Sequence, residues 1–356
     1  MTDSLVTETA FRIFTDLADP QTLNRASASA STAPLWRALE AAGLPLAWVP
    51  DDLGGAGANF AEGFEVARIS GCFAAPVAVT ETLLAGWLLA QAKIASPPGI
   101  MTVAPARPHD RLTLTSSGAV SGRARGVPFA REATHLAVIA HGANGPHIAL
   151  LDTKSCQFGT SRALAGVSCA DVVLAAVKPL KLAPAPKCFT QSHLMQMGAT
   201  LRAIESAGAL QAILELATQY ARERVAFGKP IAKFQAVQHN LARLAGEASA
   251  AMIASGSAVD AIASIAADPA RFDDAIFLEV ASARIRSAEA ATEGAAIAHQ
   301  VFGAIGFTRE HILHRYTLRL LSWRDDFGHE SGWAVDLGKR IAAKGADELW
   351  PALAAR

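Results

Sequence analysis

The sequence lacks paired cysteines, net charge, long apolar runs and a charged leader, and each absence argues against a class of protein. Cys72, Cys156, Cys169 and Cys188 are scattered through 356 residues with no CxxC pair. That pattern fits free thiols in a reducing compartment, not a disulfide framework or a metal site. Lys+Arg and Asp+Glu both number 32, so no charge excess draws the chain to nucleic acid or to an anionic membrane. No apolar run reaches the roughly 18 residues of a membrane span. The opening MTDSLVTETAFRIF has neither the basic start nor the apolar centre of a secretory signal. The expectation is a soluble, cytoplasmic protein with neither nucleic acid nor membrane as partner.

What is present is apolar material on a long chain. Hydrophobic residues make up 51% of the sequence, enough for two or three domains rather than one simple core. Residues 1–95 read as helices joined by turns. LWRALEAAGL (Leu35–Leu44) is an amphipathic helix stopping near Gly43 and Pro45, and the loop Trp48-Val49-Pro50 to Gly57 is rich in turn glycines. Across residues 96–185 the period changes to short β-rich runs, Leu112–Thr115, His135–Ala140, His147–Leu151 and Val172–Leu174, as in a small sheet or barrel. Residues 186–356 are helical again and alanine-rich, with long stretches at Met195–Arg224, Lys233–Ser264 and Asp273–Phe302. Asp268-Pro269 breaks the last two, and the set suggests a four-helix bundle. The fold class is α+β.

One corner of that bundle carries chemistry. Ile213, Leu216, Ala217 and Tyr220 form a helical stripe, as do Val237, Leu241, Leu244 and Ala248. Between them Phe227-Gly228-Lys229-Pro230 makes a bend, with glycine leaving helical angles and proline suited to the first turn of the next helix. The corner presents Arg222, Arg224, Phe227 and Gln235, a guanidinium, ring and amide set able to hold an anionic, aromatic ligand. The plainer structural reading is a helix hairpin with arginines on its wet face.

The string R-x-A-F-G-K-P-I-x-x-F-Q-x-V-Q resembles the carboxy-terminal signature of the acyl-CoA dehydrogenase family. Gln300-Val301-Phe302-Gly303-Ala304-Ile305-Gly306-Phe307 resembles its second signature, and the VPxxxGGxG loop its opening. The resemblance implies an N-terminal helical domain, a middle β-domain and a C-terminal four-helix bundle. It implies FAD as cofactor, an acyl-CoA substrate and an electron-transfer acceptor. It also implies assembly as a homo-dimer or tetramer, or as a heterotetramer with a sister chain. By position Arg224, Phe227, Phe234 and Gln235 would touch FAD, usually across a subunit interface, and Gln300 and Gly303 would reach the same dinucleotide from the neighbouring protomer, with Ala304 in place of a second glycine. Thr308, Glu310, His311 and His314 fit a further run of the family, and no Cys/His cluster supports a metal there.

Two departures stand against this resemblance. No T-E-P-x-x-G-S-D-like segment is evident, and Gly126-Val127-Pro128-Phe129 fall where an aromatic and a hydroxyl residue usually face the flavin, although proline offers no N–H or hydroxyl. The catalytic acid is also missing. Desaturation needs a carboxylate to take the α-proton, and the two family positions hold Phe327 and Leu201, the latter followed by the matching Arg202, a candidate substrate contact. Either a sister chain supplies the acid, or Glu205, Asp326 or Glu330 has taken the role, or the chain is a non-catalytic subunit without flavin. Glu205, one turn beyond Leu201, is the nearest candidate base. As plain structure, Glu205, Asp325, Asp326 and Glu330 read as solvated carboxylates, and Arg315, Arg319 and Arg324 as a solvated basic face.

Overall fold

A computed structural model describes residues 4–19, 23, 28–164, 167–264 and 272–354. Helices α1 (Leu5–Leu17), α2 (Ala28–Ala41), α3 (Phe60–Phe73) and α4 (Val79–Gln91) form the amino-terminal part. Gly43, in the left-handed region at φ 70°, ends the second of these close to the position its sequence predicts. A capping box between Asn59 and Glu62 starts α3, satisfying two backbone N–H groups that the helix leaves open.

Strands β1 (Met101–Ala104), β2 (Leu112–Leu114), β3 (Val120–Pro128), β4 (His135–Gly142), β5 (Gly145–Asp152), β6 (Gln157–Leu164), β7 (Val167–Val177) and β8 (Lys181–Pro184) form one sheet. Its order is β6-β7-β3-β2-β4-β5-β8, with β1 parallel to β4. The predicted small sheet is thus an eight-stranded one. Leu136 to Ala140 in β4 are all fully buried, so both faces of the sheet are covered. Ala137 and Ile139 pack with the helices, while Leu136, Val138 and Ala140 share the opposite core with Val120, Val127 and Val172.

The carboxy-terminal part holds α5 (Gln191–Glu223), β9 (Val225–Ala226), β10 (Lys229–Pro230), α6 (Gln235–Ser264), α7 (Asp274–Phe302), α8 (Leu313–Trp323), α9 (Glu330–Lys344) and α10 (Leu349–Ala354). The helices begin and end within a few residues of their sequence reading; Asp268-Pro269 lies outside the described residues. Every residue from His193 to Leu210 is buried, so the first half of α5 is wrapped on all sides. There Leu194, Met197 and Leu201 share a core with Trp87, Phe189, Ile139 and Val280, which joins the amino-terminal helices, the sheet and the bundle. No helix of the described residues is long and apolar enough to cross a membrane.

Candidate functional site

The bend after α5 is built as a small hairpin. Ala226 pairs with Lys229 and Val225 with Pro230, and the two turn residues, Phe227 and Gly228, both have positive φ (53° and 78°). Two such residues give the mirror-image turn whose twist suits tight strand pairs. Glycine adopts that geometry freely, whereas a phenylalanine there is strained, and its ring is 95% exposed. Proline does not open the following α-helix as its position suggests. Pro230 instead caps a 3-10 turn over Ile231–Lys233, and α6 begins at Gln235. Phe234 carries Lys229 Nζ 4.6 Å from its ring centroid and meets Phe227 edge-on at 6.1 Å. Arg224 terminates α5 with its side chain exposed.

Because α6 runs back against α5 and α7 returns, the carboxy-terminal ends of α5 and α7 share one end of the bundle. Tyr220 stacks on Phe302 at 4.4 Å and its hydroxyl donates to the Phe302 carbonyl at 3.4 Å. Gln300, Gly303 and Ala304 are exposed beside this contact. Gly303 closes α7 at φ 64°, and a Cβ there would meet nothing within 4 Å, so backbone is open to a ligand. Phe307, 69% exposed, stacks on His299 at 4.1 Å. All seven sequence-assigned cofactor residues therefore lie at one end of a single protomer, or next to it. Of the histidine run, His311 lies against Phe302 and His314 contacts the His311 carbonyl.

The positions that lack an acid are closed. Phe327 is 2% exposed and Leu201 1%. The Phe327 ring lies so close to α5 that a Cβ on Gly198 would come within 2.4 Å of it. Behind it is a buried ionic cluster. Arg202 reaches Glu81, Glu205 (2.5 Å) and Asp326 (3.0 Å), all about as buried as itself. The Thr80 hydroxyl sits 3.0 Å from Glu205 and 3.2 Å from Glu81. Arg284, 1% exposed, donates to the carbonyls of Trp323 (2.7 Å), Asp326 (2.9 Å) and Gly328 (3.1 Å), fixing the loop that presents Phe327.

These contacts correct the surface readings. Glu205 and Asp326 are interior ion-pair partners, Glu330 pairs with Arg324, and only Asp325 is exposed. Arg315 and Arg319 are 6% and 3% exposed rather than part of a wet basic face. Charge periodicity alone gives no sign of this, since a helix face looks the same whether water or another helix covers it.

Burial pushes the Glu205 carboxyl up to about 7, against the pull of Arg202 and helped by the negative Glu81. Asp326 is raised for the same leading reason. Even with Arg202 in contact, burial leaves Glu205 and Asp326 easier to protonate than in water. With a folded pKa above the ordinary 4.5, Glu205 contributes stability that is complete below about pH 4.5 and lost as pH rises to about 7. His299 and His311, their pKa values lowered by burial, act in the opposite sense over the same window. Comparison with the parent chain isolates Glu205: melting curves of Glu205→Gln should lose a component that falls with pH. An unchanged slope in the variant would refute this.

A cleft of about 1480 Å³ opens between the sheet and the α8–α9 loop, lined by Arg107, Arg125, Gly126, Cys169, Asp326 and Trp333 among others. Arg125 binds Asp110 (2.8 Å), Asp171 accepts from the Gly126 N–H (2.9 Å), and Arg107 donates to the Asp325 carbonyl. Val127 and Pro128 are buried at the end of β3. Ala104-Pro105-Ala106-Arg107-Pro108-His109-Asp110 follows β1 directly, and its Pro105 and Asp110 have the proline-to-aspartate spacing of T-E-P-x-x-G-S-D.

Residues 190–324 match the family described as acyl-CoA dehydrogenase, C-terminal domain. Acyl-CoA dehydrogenase IpdE2 of Mycobacterium tuberculosis is 28% identical over 317 residues, covering 89% of this chain and 86% of that protein. FadE34 of the same organism is 39% identical, over 35% of this chain and 16% of its own length. Among solved structures, the Tcur3481-Tcur3483 steroid ACAD variant has a TM-score of 0.81 at 24% identity, covering 96% of this chain and 98% of that one. The ChsE4-ChsE5 complex from Mycobacterium tuberculosis also scores 0.81, at 22% identity over 95% and 96%. At such identities these structural likenesses establish the fold.

Proposed function

From the premise that this chain belongs, through its carboxy-terminal domain, to the acyl-CoA dehydrogenase family, we propose that it is an FAD-binding subunit of a heteromeric acyl-CoA dehydrogenase. The catalytic acid then comes from a sister chain. The observation that carries this reading is a contrast: Phe227 and the Gly303 backbone are open at the bundle end, while Phe327 and Leu201, at the two acid positions of the resemblance, are buried.

The residues at the bundle end fit a dinucleotide. Arg224 would pair with the pyrophosphate and Phe227 would lie on the adenine, while Gln300 and the bare backbone at Gly303 would approach the same dinucleotide from the neighbouring protomer. FAD, when bound, supplies the two-electron acceptor for α,β-desaturation of an acyl thioester. This chain's part is to bind and orient. Arg202 and Arg284 hold the Asp326–Gly328 loop in place, and each carboxylate of the buried cluster is in contact with Arg202. We read Glu205 as a positioning residue for Arg202. One structural neighbour is a steroid ACAD, and another is a complex of two named components, ChsE4 and ChsE5. They support a bulky acyl-CoA substrate and a sister-chain partner.

The chain, co-expressed with a sister acyl-CoA dehydrogenase, should purify yellow and turn over acyl-CoA, and alone it should not turn over. Arg224→Ala should weaken flavin retention by roughly 10-fold or more, since a charge-assisted contact is worth about 1.5–3 kcal/mol. Phe227→Ala should weaken it by roughly 5-fold or more, since stacking on a base is worth about 1–3 kcal/mol. Turnover by this chain alone would overturn the sister-chain acid. The second reading, a flavin-free subunit, is favoured by Pro128 and by Arg107 reaching across to Asp325, and it predicts colourless protein in both preparations.

A further inference from the structure

Arg315 and Arg319 lie one turn apart on α8, 6% and 3% exposed, facing the α3 end and α5. Among the described residues, Arg319 Nε and Nη2 and Arg315 Nη1 have no hydrogen-bond partner. Arg315 Nη2 makes only a long contact, 3.4 Å, to the Ala74 carbonyl, and Arg319 lies 5.7 Å over the Trp323 ring. Arg202 takes one oxygen of each of Glu205, Glu81 and Asp326, and the single Thr80 hydroxyl proton can serve only one more. Glu205 and Glu81 act on Arg319 through charge, yet its Nε and Nη2 hydrogen-bond to neither. Tyr316 points its hydroxyl at the Cys72 carbonyl and leaves the pair unserved. Four guanidiniums, those of Arg202, Arg284, Arg315 and Arg319, are thus buried near three carboxylates.

Buried cations with open donors need a counter-charge. We propose that Arg315 and Arg319 form an internal site for a chloride-sized inorganic anion, held by the free donors of the two side chains. Burial lowers the pKa of both guanidiniums, and for Arg319 the neighbouring Arg315 adds to it. A shared anion relieves that mutual repulsion.

The full chain should melt higher in potassium chloride than in potassium gluconate at equal ionic strength. The rise should reach roughly 3–6 °C once chloride is near 100 times its dissociation constant, and beyond that grow only with the logarithm of its concentration. Arg319→Leu should abolish it. Crystals of the unmodified chain grown with bromide should show an anomalous peak within hydrogen-bonding distance of both guanidiniums, which decides the question even if the variant does not fold. Identical melting in the two salts, or density showing only water or the Glu205 carboxylate on Arg319 Nε, would overturn the site.

Discussion

Replacing Arg202 with methionine should lower stability by about 3–5 kcal/mol, because it strands buried carboxylates rather than removing a whole ion group. Three acids from three parts of the chain converge on this side chain: Glu81 from α4, Glu205 from α5 and Asp326 from the α8–α9 loop. The melting temperature should drop on the order of 10 °C. Removing the charges together, as Arg202→Met with Glu81→Gln and Glu205→Gln, should recover part of that loss, since an apolar or amide replacement leaves fewer unpaired ions. Denaturant titration of both variants measures the difference. A loss under about 1 kcal/mol in the single variant would mean that the cluster is solvated.

The second large effect is steric. At the crossing of α3 and α5, a Cβ on Gly71 would lie 2.1 Å from the Glu205 carbonyl oxygen, and one on Gly208 would lie 2.2 Å from that of Arg68. Backbone cannot rotate aside as a side chain can, so the helices must part. Gly71→Ala should cost about 2–3 kcal/mol through overpacking. Gly246 in α6 is the control. It meets nothing within 4 Å, so alanine there should stabilise by up to about 1 kcal/mol through helix propensity. Equal effects from the two substitutions in thermal unfolding would show that the close crossing is absent in solution.

Much of the architecture was legible because hydrophobic period is a local signal. The three long bundle helices and the strand His135–Ala140 could be read from spacing alone, and the Phe227-Gly228 bend from its composition. The interior charges were not legible. Arg202, Glu81 and Asp326 are separated by more than a hundred residues in sequence, and nothing local marks an arginine as the centre of three acids. The same gap misplaced Arg315 and Arg319 on the surface.

The wrapped first half of α5 has a consequence for how this chain can be dissected. Its surroundings are drawn from all three regions that the sequence marks off, so a fragment cut near residue 186 would present that half-helix bare to water. The regions are divisions of sequence rather than separable pieces, and they should melt together in one transition.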